Sequence, residues 1–170
     1  MIFEATPLPA KTSQGNAVAQ EIVSTGIEKK LRICSAESMT GGRIAAEITG
    51  ISGASNIFFA GGIFYDERAK IDTLGVSKKT IQKFGIYSTE CAAEMAKCWR
   101  EKCKADICIS TTGIAEESQK ETPFVFVGIS SIYGEKTVQQ TFSGNRIEVQ
   151  TQATLFALLL LKEEILKDQH

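Results

Sequence analysis

The sequence predicts a single α/β domain whose helices pack on a mixed β-sheet ending in an antiparallel edge hairpin. Three observations carry this. Segments of helical and strand character alternate along 170 residues in the order α, β, α, β, three helices, β, a β-β pair and α, the pattern of helices laid on a sheet. Two β-rich runs flank Tyr133-Gly134-Glu135, a hairpin signal. Hydrophobic residues make up 43% and charged residues 23% of the chain, with three prolines, which suits one folded core rather than a disordered segment.

Residues 1–13 read as an N-terminal extension with no apolar run of signal-peptide length, so a cytoplasmic protein is expected, its folded domain over 14–167. From Asn16 to Lys30, Ala19, Ile22, Val23 and Gly26 recur on one helical side. Leu31 to Ala36 reads as a short buried strand. A second helix is expected to start near Thr40, with Ile44, Ala45 and Ile48 on one face and Gly50 and Gly53 at its end. Phe58 to Tyr65 is an apolar, aromatic strand in which Gly61-Gly62 lets another backbone come close.

Asp66 can cap a helix running through Lys70 to Leu74, Ser77 one over Lys78 to Phe84, and Ser88 a longer one to about Lys104. In the longest, Ala92, Met95, Ala96, Trp99 and Cys103 form a stripe suited to the core. Asp106 to Thr112 is the next buried strand. Phe124 to Ser131 and Lys136 to Phe142 make the hairpin, the second strand polar enough to lie at an edge. Asn145-Arg146-Ile147-Glu148 has the form of a capping box, opening a final helix to about Lys167. Its middle, Leu155 to Leu161, is apolar on every side, so it must be covered by its own sheet and neighbours or by another subunit; a homo-oligomer is the expectation.

Residue counts exclude much chemistry. The one histidine is His170, at the chain end, so mechanisms that hold an imidazole in a pocket are not expected. The five cysteines form no Cys-x-x-Cys pair and suit neither a zinc ribbon nor a disulfide framework. Cys34, Cys98, Cys103 and Cys108 read as packing residues, with Cys91 expected to be partly exposed. Net charge is −1 with no block of like charges, so neither nucleic acid nor a membrane surface is an expected partner. The longest apolar run is too short to span a bilayer. With no Gly-x-Gly-x-x-Gly and no P-loop, dinucleotide-dependent redox chemistry is not expected either.

Ala36-Glu37-Ser38-Met39-Thr40-Gly41-Gly42 sits where a buried strand turns into a helix. That placement sets the Ser38 hydroxyl at the carboxyl end of the sheet beside backbone N–H groups. A nucleophilic serine without histidine needs another base, and a desolvated lysine is the common substitute. Tyr65 and Lys70 are the candidates, since both can reach the same end of the sheet. Plainer readings stand beside these: Ser38 as a helix cap, Lys70 as a solvated helix lysine, Tyr65 as a half-buried anchor. Neither Ser38 nor Lys70 is assigned to the core. Glu37 can orient Lys70 or Arg146, or be salt-bridged in the fold.

Further motifs follow in order: Gly53-Ala54-Ser55, Gly62-Ile63-Phe64-Tyr65 with Lys70, Leu74-Gly75-Val76, Gly85 and Ser88, Thr112-Gly113-Ile114-Ala115, and Phe142-Ser143-Gly144-Asn145-Arg146. Together with the Ser38 segment they resemble the CinA C-terminal domain family, the nicotinamide-nucleotide amidases, over residues 14 to 165. The resemblance implies hydrolysis of the amide of nicotinamide mononucleotide to nicotinate mononucleotide and ammonia, in pyridine-nucleotide recycling, with no metal and no cofactor. It implies Ser38 as nucleophile, Lys70 as general base and Tyr65 as a proton-relay or positioning hydroxyl. Thr40, Gly41 and Gly42 would supply donors at the reacting carbonyl or a nearby phosphate, Thr112 and Gly113 would line the substrate site, and Arg146 would meet the nucleotide. Pairing of Arg146 with Glu148 is the alternative for that residue. The ADP-ribose pyrophosphatase activity associated with the other domain of longer CinA proteins is not expected.

One segment departs from the family pattern. After Gly113-Ile114-Ala115 the family has a Gly-Pro-rich loop and a Lys-Pro-Val-Gly lead into the next strand. This chain has Glu116-Glu117-Ser118-Gln119-Lys120-Glu121, then Thr122-Pro123-Phe124-Val125-Phe126. Glu116 and Glu117 add negative charge near a site expected to receive a phosphate, which weakens binding unless both point outward. A diverged paralogue serving as a ligand-binding or assembly protein is therefore the alternative to the amidase.

Overall fold

The computed structural model describes residues 14–117 and 122–167, with the side chains of Gln14 and Gly15 excepted. Five strands, β1 (Ile33–Glu37), β2 (Phe58–Ile63), β3 (Ile107–Ile114), β4 (Phe124–Ser131) and β5 (Gly134–Thr141), form one sheet in the order β2-β1-β3-β4-β5. β1 is parallel to both β2 and β3, while β3, β4 and β5 pair antiparallel. This is the expected mixed sheet with its hairpin at the edge. The expected extension over 1–13 lies outside the described residues.

Alternation along the strands divides the core into two layers. On one face Ile33, Ile107, Ile109, Val125, Val127 and Ile129 pack with helices α1 (Gln14–Glu28), α2 (Arg43–Thr49) and α5 (Arg146–Ile165). On the other, Cys34, Ala36 and Cys108 meet Leu74 of a π-helical turn (Ala69–Leu74), Ile81 of α3 (Lys78–Phe84), and Met95 and Ala96 of α4 (Thr89–Cys103). α4 lies unusually close to the sheet. A Cβ at Gly128 would fall on the Ala92 carbonyl, and the Ser110 hydroxyl donates to that carbonyl at 2.6 Å. Glycine at 128 is thus a packing requirement rather than a turn signal.

Several element boundaries differ from expectation for identifiable reasons. The hairpin turn is Ile132-Tyr133, and Gly134 and Glu135 already pair in the ladder. Ser131 sets it, because its hydroxyl accepts from the Tyr133 N–H at 3.0 Å and is fixed by the buried Glu164 carboxylate of α5, to which it donates at 2.5 Å. α2 starts at Arg43 rather than near Thr40. The Ser77 side chain makes no cap, its N–H going instead to Glu94 at 2.7 Å, whereas Ser88 caps α4 through the Cys91 N–H and Asn145 completes its capping box with Glu148. Asp66 accepts from the Arg68 N–H at 2.8 Å, but the turn that follows is π-helical, not α-helical. Cys91, expected to be partly exposed, is fully buried in the first turn of α4.

The apolar middle of α5 is covered by its own chain. Ala157, Leu158, Leu160 and Leu161 are buried, and α1, α2, β3 and β4 pack against the helix. Leu159, at 42%, is the exposed residue of that run, and Leu155 and Phe156 are partly buried. Among the described residues no helix is long and apolar enough to cross a membrane.

Candidate active site

β1 has β2 on one side and β3 on the other, so the chain switches direction across the sheet at the β1/β3 border. In open α/β sheets such a border leaves a crevice beyond the carboxyl ends of the strands. Ser38 follows the last residue of β1, and Gly113 to Glu116 close β3 and continue past it. These residues line a cleft together with Met39, Tyr65, Tyr87 and Arg146. The cleft holds about 430 Å³ of free space, part of it open to solvent.

Glu37 organises the turn after β1. It is 1% exposed, and its two carboxylate oxygens accept from the Ser35 hydroxyl at 3.2 Å, the Thr40 hydroxyl at 2.8 Å, and the N–H groups of Gly42, Ile44 and Ala45 at 3.0, 3.1 and 2.9 Å. A carboxylate there meets both the unpaired donors and the positive end of α2. It therefore starts the helix at Arg43 from six residues upstream and touches neither Lys70 nor Arg146. Gly41 and Gly42 both take positive φ, +63° and +89°, which folds the turn tightly enough for these bonds.

That inward set of bonds changes what residues 40–42 offer a ligand. The Gly42 N–H is held by Glu37 and the Gly41 N–H by the Ser38 carbonyl at 3.0 Å. The Thr40 hydroxyl is bonded to Glu37 and to Thr111 Oγ1 at 2.8 Å. These groups brace the turn rather than face the cleft. Among the described residues, the N–H groups of Met39 and Thr40 have no protein acceptor. The Met39 carbonyl is fixed from outside the turn by Gln150 Nε2 at 2.8 Å, a polar side chain buried in α5.

Lys70 arrives from the opposite face of the sheet. Its helical turn widens to π-helix, an irregularity often found at functional sites. Gly75, at φ +97°, ends it. The side chain is fully buried and among the largest that are. Its Nζ lies 3.0 Å from Ser38 Oγ, 2.7 Å from the Phe64 carbonyl and 3.4 Å from the Tyr65 carbonyl. Burial pushes the amine below its ordinary pKa of 10.5, with Cys91, Asp66 and Glu67 opposing the shift less strongly. The reading of Lys70 as a solvated helix lysine is overturned, and so is its assignment outside the core.

Charged, the amine donates its three N–H bonds to the Ser38 hydroxyl oxygen and the two carbonyls. Once it loses a proton, a lone pair is freed to accept from the Ser38 hydroxyl while two N–H bonds remain for the carbonyls. Among the described residues Tyr65 makes no hydroxyl bond to Ser38 or Lys70. It is 59% exposed, and its hydroxyl accepts from Arg146 Nη1 at 3.4 Å. Arg146 also pairs with Glu116 at 3.5 Å, whereas Glu148 is engaged by the Asn145 N–H at 2.8 Å. Pairing of Arg146 with Glu148 is thereby excluded, and Glu116 points into the cleft rather than away from it. The Thr112 hydroxyl turns from the cleft to donate to the Ile86 carbonyl at 2.8 Å. Gly113 lines the cleft, where a Cβ would strike the Phe124 carbonyl of the neighbouring strand.

Sequence reasoning missed Glu116 as a partner of Arg146, Glu37 as the brace of the turn, and Gln150. A signal existed for the last two: an acid directly after an apolar strand and before Thr-Gly-Gly, and a glutamine within an otherwise apolar helix stripe. Tyr87 and Met39 carried none.

Compared with known proteins, residues 15–165 match the CinA C-terminal domain. A putative competence-damage inducible protein of Caldicellulosiruptor saccharolyticus is 38% identical over 149 residues, 85% of this chain and 36% of its own length. A protein of the same description from Halothermothrix orenii is 47% identical over 124 residues, 70% of this chain and 30% of its own. The chain thus spans about a third of the length of these relatives. Among solved structures, competence damage-inducible protein A of Klebsiella pneumoniae superposes with a TM-score of 0.86 at 25% identity, covering 92% of this chain and all of that one. The competence/damage inducible protein CihA of Agrobacterium tumefaciens superposes with a TM-score of 0.84 at 26% identity, covering 94% and 100%.

Proposed function

The chain belongs to the CinA C-terminal domain family, and from that premise we propose that it hydrolyses the amide of nicotinamide mononucleotide, with Ser38 as nucleophile and Lys70 as base. The supporting observation is the buried Lys70 Nζ held 3.0 Å from Ser38 Oγ. A base lowered by desolvation and pinned beside a hydroxyl is what serine catalysis without histidine requires.

The chemistry runs in two halves. Neutral Lys70 takes the Ser38 proton as Oγ bonds to the carboxamide carbon, and the carbonyl oxygen becomes an oxyanion. The Met39 and Thr40 N–H groups are the donors available to it. The oxyanion collapses, the C–N bond breaks, and the proton on Lys70 passes to the departing nitrogen, releasing ammonia. Water then attacks the acyl ester with Lys70 again as base, and cleavage of the ester bond returns the Ser38 hydroxyl and yields nicotinate mononucleotide. Tyr65 and Arg146, at the mouth of the cleft, bind the substrate away from the reacting bond.

Ammonia and nicotinate mononucleotide release from nicotinamide mononucleotide, measured for wild type beside Ser38→Ala, tests this. Release by wild type that drops by at least about 10³-fold in the variant is expected for loss of a nucleophile. Equal release by both proteins would sink the mechanism. The contact of Glu116 with Arg146 favours a second reading, a diverged member that binds a different ligand; no release by wild type would move that reading ahead.

A further inference from the structure

Arg146 is the first residue of α5, and its guanidinium reaches across the mouth of the cleft. Nη1 lies 3.4 Å from the Tyr65 hydroxyl and Nη2 3.5 Å from Glu116 Oε2. All three residues line the cleft that holds Ser38. They come from separate places in the chain: Tyr65 just past β2, Glu116 just past β3, and Arg146 at the start of the last helix. The Arg146 and Glu116 side chains are 46% and 69% exposed. An ion pair so open to water is weakly held and is given up readily to a better partner. A phosphate monoester is such a partner, because its charge and its paired oxygens suit a guanidinium better than one carboxylate does at 3.5 Å.

We propose that Glu116 is a specificity-determining residue: it holds Arg146 and competes with the phosphate of an incoming nucleotide, so that it sets how tightly phosphate-bearing ligands bind relative to their phosphate-free counterparts. This rests on the reading of the ligand as a nucleotide but not on the hydrolysis. Two effects act together. The phosphate must displace the carboxylate from Arg146, and the displaced Glu116 then remains beside it as a like charge. Neither effect touches a nucleoside that lacks the phosphate.

Titration calorimetry on Ser38→Ala protein, which holds substrate without turning it over, reads this directly. The probes are nicotinamide mononucleotide, nicotinamide riboside and orthophosphate, each with and without Glu116→Gln. Glu116→Gln is expected to tighten nicotinamide mononucleotide and orthophosphate by about three- to tenfold and to give no tightening of the riboside, whose pyridinium is a cation that gains nothing from losing a carboxylate. The gain should shrink as salt is added. In an Arg146→Gln background the same substitution should give no gain. Unchanged or weaker binding of the mononucleotide, equal tightening of riboside and mononucleotide, a gain that persists without Arg146, or no binding of any probe would each overturn the proposal. Tightening of orthophosphate in a protein whose wild type releases no ammonia would keep it while removing the amidase reading.

Discussion

At the scale of single residues, Lys70 carries the sharpest consequences. Burial holds its pKa below 10.5, so between the folded value and 10.5 the unfolded chain binds more protons than the folded one. Stability therefore rises with pH across that window, and burying the charged amine costs stability at neutral pH. The rate should rise with pH as Lys70 loses its proton, with a midpoint below 10.5, and a pH–rate profile checks it. Lys70→Met, which fills the same space without a charge, should abolish turnover while stabilising the fold at neutral pH by about 1 kcal/mol or more, read as a rise in Tm. A fall in Tm would mean that the amine's hydrogen bonds outweigh the charge it buries. Lys70→Ala is a different experiment, because truncating so large a buried side chain leaves a cavity and costs about 2 kcal/mol or more.

At the scale of elements, the turn between β1 and α2 depends on one carboxylate. Glu37 accepts five hydrogen bonds and so joins the end of a strand to the start of a helix too short to hold itself. Glu37→Gln places an amide among donors and leaves at least one of them unpaired. A loss of about 2–3 kcal/mol is expected from denaturant unfolding. Turnover should fall as well, since Ser38 stands on that turn. Unaltered stability would show the bonds to be exchangeable with water. Glu37 also marks a limit of reading from sequence. Asn145 and Ser88 cap helices that begin one residue later, and both were legible; Glu37 acts six residues ahead of its helix, through two glycines at positive φ, so its position signalled an acid of the turn but not a cap.

For the whole molecule, the cleft is lined by the turn after β1, Tyr65 past β2, the end of β3, Tyr87 ahead of α4 and the start of α5, so an occupant ties together both layers of helices. Nicotinamide mononucleotide at 100 times its Kd should stabilise Ser38→Ala protein by about 2.7 kcal/mol, or roughly 5–10 °C in Tm for a domain of this size. Thermal unfolding with and without it is the check; no shift would mean that this nucleotide is not the occupant. The order of elements, the mixed sheet and the hairpin edge were legible because they rest on periodicity and turn chemistry close in the chain. That Ser38 and Lys70 meet was an inference from residue type, since spacing says nothing of a lysine reaching 3.0 Å from a serine 32 residues away. The homo-oligomer drawn from α5 loses that support, because α1, α2 and the sheet cover the run that suggested it.

Trp99, the chain's one tryptophan, stands edge-on to Phe64 at 5.2 Å between ring centroids, and the Phe64 carbonyl accepts from Lys70 Nζ at 2.7 Å. The protein thereby carries its own optical reporter one residue removed from Lys70. Tryptophan emission is a single-site signal that follows the surroundings of Lys70 without a label, and it gives rapid-mixing experiments a way to time ligand arrival apart from bond cleavage.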